Sequence, residues 1–89
     1  MEKKIWFVTG CSRGMGKALV SELLRQDYCV AATSRNKKSL TDLFGDESDH
    51  FYPVAMDLTS EDDVRRVVSE AARKFGRIDV VVNNAGYTM

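Results

Sequence analysis

Residues Thr9-Gly10-Cys11-Ser12-Arg13-Gly14-Met15-Gly16 bring three glycines close together, directly after the apolar run Ile5-Trp6-Phe7-Val8. A glycine-rich passage from strand to helix does anion chemistry. Glycine takes backbone angles closed to other residues, and its missing side chain lets a pyrophosphate approach the amides at the positive end of the helix. A strand before the loop and a helix after it are the context that gives such a motif meaning. Gly16-Lys17 also resembles the end of a nucleoside-triphosphate P-loop. That motif needs glycine where Cys11 stands and a magnesium-binding hydroxyl where Ala18 stands, so Lys17 reads as a solvated helix residue.

The elements that must position this loop alternate along the chain. Ile5 to Val8 is apolar throughout, as in a strand buried on both faces. From about Gly14 to Gln26, the residues Met15, Ala18, Leu19, Leu23 and Leu24 recur at helical spacing. Cys29 to Thr33 reads as a second strand, and Leu40, Leu43 and Phe44 as a short helix ended by Gly45. Phe51 to Met56 is a third strand, which Pro53 makes weak or peripheral. Ser60 with Asp63 resembles a capping box, with Glu61 and Asp62 in the first turn where the helix dipole favours them. Val64, Val67, Val68, Ala71, Ala72 and Phe75 then form one apolar helical face, Arg73 and Lys74 occupy the last turn and Gly76 closes it. Ile78 to Val82 is a fourth strand.

A β-α-β-α-β-α-β order with short connections predicts parallel strands joined by right-handed crossovers, half of a doubly wound α/β sheet. In that architecture ligands sit beyond the carboxyl ends of the strands, where strand order reverses. The residues that follow Val8, Thr33, Met56 and Val82 are therefore the ones to interrogate.

Composition removes several classes. The 89 residues carry 13 Lys+Arg against 13 Asp+Glu, leaving no net charge and no basic field for nucleic acid or an anionic membrane. No apolar run approaches the roughly 20 residues that span a bilayer, and no secretory apolar region follows Met1-Glu2-Lys3-Lys4. Cys11 and Cys29 lack metal-site spacing and have one histidine, His50, for company, so neither a metal site nor a disulfide scaffold is expected. The expectation is a cytoplasmic chain in a reducing compartment, without nucleic-acid or membrane partners.

Thr9-Gly10-x-x-x-Gly14-x-Gly16, with Asp57-Leu58 after the third strand and Asn83-Asn84-Ala85-Gly86 after the fourth, resembles the short-chain dehydrogenase/reductase family over essentially the whole chain. The resemblance implies a Rossmann-like half-domain over residues 1–89 that binds a nicotinamide dinucleotide. It would place Gly10, Ser12, Arg13, Gly14, Met15 and Gly16 around the pyrophosphate and adenosine phosphate, and Asp57 and Leu58 at the adenine. Asn84, Ala85 and Gly86 would lie along the ribose side, with Asn83 tying the central strands together. It further implies an oxidoreductase, homo-oligomeric in full, moving hydride between the cofactor and a small carbonyl or alcohol substrate.

An NAD-binding protein carries an acidic residue about 20 positions after the glycine loop, accepting from the ribose 2′-hydroxyl. Here Ser34 and Arg35 occupy that place. Ser34 can donate a hydrogen bond, and Arg35 can pair with a 2′-phosphate as a planar fork, with Arg13 closing from the glycine loop. NADP(H) is expected over NAD(H).

Other residues invite functional readings that simpler ones displace. Cys11 beside a helix N-terminus suggests a lowered thiol pKa, but reads as a small loop residue. His50 reads as solvated, Asp79 as satisfying local amides and Trp6 as sheet core. The family's catalytic tyrosine, followed four positions later by lysine, is absent: Tyr28 and Tyr52 precede Ala32 and Met56, and Tyr87 lies two residues from the end. No catalytic residue is therefore assigned. The expectation is the cofactor-binding portion of a longer reductase, cut after the fourth strand and inactive by itself; the alternative is a non-catalytic dinucleotide-binding or interaction module.

Overall fold

The alternation of apolar runs and amphipathic segments folds as a four-stranded sheet sandwiched by helices in the computed structural model, which describes residues 4–12 and 14–83. The elements are β1 (Ile5–Val8), α1 (Gly14–Arg25), β2 (Cys29–Ser34), α2 (Lys37–Phe44), β3 (Phe51–Ala55), α3 (Glu61–Phe75) and β4 (Val80–Val82). The strands lie in the order β3-β2-β1-β4 and all pair in parallel, with Phe7 opposite both Ala31 and Val81, and Ala32 opposite Pro53. The chain steps outward from β1 to β3 and then crosses back to β4. Right-handed crossovers consequently put α1 and α2 on one face and α3 on the other.

Each face has its own core. Val8, Val30 and Ala32 pack with Val20 and Leu23 of α1 and Leu40 of α2; on the opposite face Phe7 and Ala31 pack with Val67 and Ala71 of α3. Strands buried on both sides need apolar residues at every position, which is why β1 and β2 show no alternation. β3 is an edge strand, where Pro53 is tolerated because one row of backbone groups needs no partner.

The strand boundaries differ from the sequence reading in three places. β2 runs one residue further, to Ser34, because the Met56 amide donates to the Ser34 carbonyl at 2.9 Å and extends the ladder. β3 correspondingly stops at Ala55. β4 begins at Val80, since Asp79 pairs with the start of β1 in its own way: its amide donates to the Ile5 carbonyl at 2.9 Å and its carboxylate accepts from the Ile5 amide at 2.8 Å. Asp79 thus serves an amide distant in sequence, where a local one was expected.

Candidate functional site

Strand order reverses between β1 and β4, and the glycine loop leaves β1 at that point. Backbone hydrogen bonds among the described residues help hold it: the Thr9 amide donates to the Val82 carbonyl and the Cys11 amide to the Thr33 carbonyl, both at 3.0 Å. The Thr9 hydroxyl donates to Asn83 Oδ1 at 3.0 Å, tying the ends of β1 and β4 together by side chains as well. Gly10 and Gly14 both have φ of 64°, in the left-handed region where glycine carries no Cβ penalty. Among the described residues a Cβ built on Gly14 would meet nothing within 4 Å, so the loop is open beside Gly14, as a backbone cradle for a phosphate requires. Gly16 is buried in the first turn of α1, Ser12 is half-buried, and Met15 is 82% exposed. Arg13 lies outside the described residues, as do Asn84, Ala85 and Gly86.

Cys11 is a core residue rather than an idle loop position. Its side chain is fully buried and its Sγ donates to the Val8 carbonyl at 3.0 Å. Burial pushes the thiol up to about 12, so desolvation outweighs any help from the helix N-terminus and no thiolate forms near neutrality.

At the end of β2, Ser34 and Arg35 behave differently from each other. The buried Ser34 hydroxyl donates to the Asn36 carbonyl at 2.7 Å and accepts from the Asn36 amide at 3.1 Å, shaping the turn into α2. Its proton, read from sequence as available to a phosphate, is engaged inside the chain. Arg35 is exposed and makes no hydrogen bond or ion pair among the described residues. It lines an open depression of about 380 Å³ together with Ala55, Met56, Asp57, Asp63 and Arg66.

Asp57 lines the same depression. Its Oδ1 accepts from the Thr59 amide at 2.9 Å and the Thr59 hydroxyl at 2.6 Å, while its carbonyl accepts from the Ser60 amide at 3.1 Å. Oδ2 has no hydrogen-bond partner among the described residues. The Thr59 hydroxyl, then the Thr59 amide and more weakly the Arg35 charge, hold the Asp57 carboxyl below its ordinary value, leaving an ionised acceptor beside the depression. Leu58, next in the chain, is 39% exposed.

Ser60 caps α3 as expected, its hydroxyl accepting from the Asp63 amide at 3.2 Å. The reciprocal half of the capping box is absent: the Asp63 carboxylate reaches past Ser60 and accepts from the Asp57 amide at 2.7 Å. Neither Asp63 nor Arg66 stood out in the sequence as lining this site. Their only signal there is their three-residue spacing, which puts both on one side of α3.

The remaining candidates lie elsewhere. His50 is exposed at the amino end of β3, and Trp6 packs edge-on to Tyr28 with ring centroids 6.0 Å apart. Tyr52 has a lysine nearby that sequence spacing could not reveal, since Lys74 Nζ lies 6.0 Å from its ring centroid. Yet the Tyr52 hydroxyl donates to Glu70 at 3.2 Å, and burial followed by the Glu70 charge raises the phenol. That shift runs opposite to the one a proton-transferring tyrosine needs. No metal-binding group of side chains exists among the described residues, and no helix among them is long and apolar enough to cross a membrane.

Comparison with known proteins agrees with this architecture. Residues 4–89 match the family model of the short chain dehydrogenase. Oxidoreductase BOA17 of Botryotinia fuckeliana is 48% identical over 87 residues, covering 94% of this chain and 31% of that protein. The structure of ElxO with NADP bound superposes with a TM-score of 0.78 at 36% identity, over 93% of this chain and 35% of that one. A 3-ketoacyl-(acyl-carrier-protein) reductase from Brucella melitensis complexed with NADH gives a TM-score of 0.80 at 29% identity, over 90% of this chain and 33% of that one. The chain therefore spans about a third of the length of these relatives. With the family model matched from β1 onward and the parallel β3-β2-β1-β4 sheet in place, the chain belongs to the short-chain dehydrogenase family of oxidoreductases.

Proposed function

We propose that this chain is the NADP(H)-binding part of a reductase that interconverts a small carbonyl compound and its alcohol. The observation that carries the cofactor choice is Arg35, an exposed guanidinium with no hydrogen bond or ion pair among the described residues, where an NAD-binding protein would present a carboxylate. A 2′-phosphate there meets a planar donor with no internal bond to break.

The residues fit the rest of a dinucleotide. The loop from Gly10 to Gly16, open above Gly14, holds the pyrophosphate over the first turn of α1. Asp57, ionised and with Oδ2 uncommitted among the described residues, accepts from the amino group of adenine, and Leu58 offers apolar surface beside it. Arg13, Asn84, Ala85 and Gly86 are assigned by family pattern to the adenosine phosphate and the ribose side. When bound, the nicotinamide supplies or accepts the hydride. This chain's own residues bind and orient: the Thr9 and Cys11 amide bonds fix the loop, and Thr59 anchors Oδ1 of the Asp57 carboxylate.

Calorimetric titration of the intact protein with NADPH and with NADH tests the reading. Tighter binding of NADPH, lost on Arg35→Ala, is the expected result. Equal affinity for the two, or no binding of either, refutes it.

A further inference from the structure

The carboxylate of Asp63 does something its place in the first turn of α3 does not require. An acidic residue there ordinarily bonds the amide of the capping residue. In this chain the Ser60 amide is satisfied by the Asp57 carbonyl, and Asp63 Oδ2 takes the Asp57 amide instead, at 2.7 Å. The other oxygen of Asp63 is anchored from behind: Arg66 Nε and Nη2 donate to Oδ1 at 3.1 and 2.6 Å, and Arg66 Nη1 donates to Glu70 at 3.1 Å. Glu70 in turn accepts from the Tyr52 hydroxyl at 3.2 Å. A continuous polar brace thus runs along α3 from Tyr52 near the start of β3 to Asp57 just beyond its end.

Asp57 is consequently gripped at its amide, its carbonyl and Oδ1, with Oδ2 alone left over among the described residues. Every one of these bonds is internal to the chain. We propose that Asp63 is a positioning residue, braced by Arg66, that presents Asp57 Oδ2 to the amino group of the cofactor's adenine. This rests on the adenine reading of Asp57 given above. Without the Asp63 carboxylate the segment from Asp57 to Ser60 keeps its own turn and the Ser60 cap, but the Asp57 amide loses its bond to α3 and the direction of the free oxygen is no longer set.

The test separates adenine recognition from general stability. In the intact protein, affinities are measured for whichever of NADPH and NADH binds more tightly and for its hypoxanthine counterpart, in which a carbonyl replaces the 6-amino group. The wild type should prefer the adenine form by about tenfold or more, the worth of one hydrogen bond to a charged acceptor. Asp57→Ala should erase that preference. Asp63→Ala should also bring the ratio near one, as should Asp63→Ser, which keeps a polar residue but is too short to reach the Asp57 amide. Asp63→Asn, which restores an acceptor oxygen, should recover most of the preference.

A purely structural role for Asp63 would lower the melting temperature and both affinities together. A wild-type ratio in folded Asp63→Ala or Asp63→Ser, alongside a ratio erased by Asp57→Ala, overturns the positioning role. An unchanged ratio in Asp57→Ala overturns the adenine reading beneath it. Amide exchange in the ligand-free wild type adds a measurement that needs no substitution: the Asp57 amide should be protected, and exchange at the unprotected rate refutes the brace.

Discussion

Replacing Arg35 by alanine removes a guanidinium that breaks no hydrogen bond or ion pair with the described residues when it meets a ligand. Arg66, in the same depression, is the contrast: it already holds Asp63 and Glu70, so recruiting it to a phosphate would cost those bonds. A charge-assisted hydrogen bond contributes about 1.5–3 kcal/mol, and the exposure of Arg35 to water and salt argues for the lower end. That corresponds to a loss of about tenfold in NADPH affinity for Arg35→Ala, with NADH affinity nearly unchanged. The assay is paired titration of wild type and variant with both dinucleotides, repeated at high salt. The wild-type advantage for NADPH should shrink as salt rises, because the Debye length falls from about 8 Å at physiological ionic strength to about 3 Å at 1 M. If Arg35→Ala weakens both dinucleotides equally, or if the NADPH advantage ignores salt, a 2′-phosphate on Arg35 is the wrong assignment.

Gly14→Val should abolish binding of both dinucleotides on titration, because a β-branched residue is forced to φ near 64° with its side chain in the open cradle. Cys11, with its thiol pushed up to about 12 in the core, should resist alkylation at neutral pH in the folded protein and react after denaturation, with the more accessible Cys29 modified first; mass spectrometry reads the order. The Ile5 amide, then Arg77, holds the Asp79 carboxyl below its ordinary value of 3.8, so its contribution to stability is complete above that value and is lost as pH falls through the lower folded value. Thermal melts of Asp79→Asn should therefore show lower stability at neutral pH and a flatter acid limb than wild type.

Features set by local pattern were legible in the sequence. The unbroken apolar run of β1, the six-residue apolar face of α3 and the edge position implied by Pro53 each follow from one strand or one helix meeting water and core. The end of α1 was blurred because no glycine marks it; Asp27 takes the left-handed angle, with φ of 65°. Features that depend on register across the sheet were not legible. That the Asp79 carboxylate would meet the Ile5 amide depends on how β1 and β4 align, and that Cys11 would turn inward depends on where α1 settles on β2. Within the candidate site, Arg35 stands out by its place after the second strand, and Asp57 by the family motif it shares with Leu58. Ser34 was read as facing the ligand because a hydroxyl carries no mark of the partner it will choose, and Asp63 was read only as a helix start.

The backbone bonds of Thr9 to β4 and of Cys11 to β2 make the glycine loop a splice between neighbouring strands as well as the lip of a cleft. Its amides are drawn into formation when the central ladder closes, so the ordering cost of the loop falls on folding and not on capture of a ligand. Loosening either flanking strand should then register first as weakened anion capture, well before the helices melt. In the other direction, an anion resting on the loop clamps three strands at once. Amide exchange at Thr9, Cys11 and their neighbours becomes a local gauge of how firmly the middle of the sheet is held.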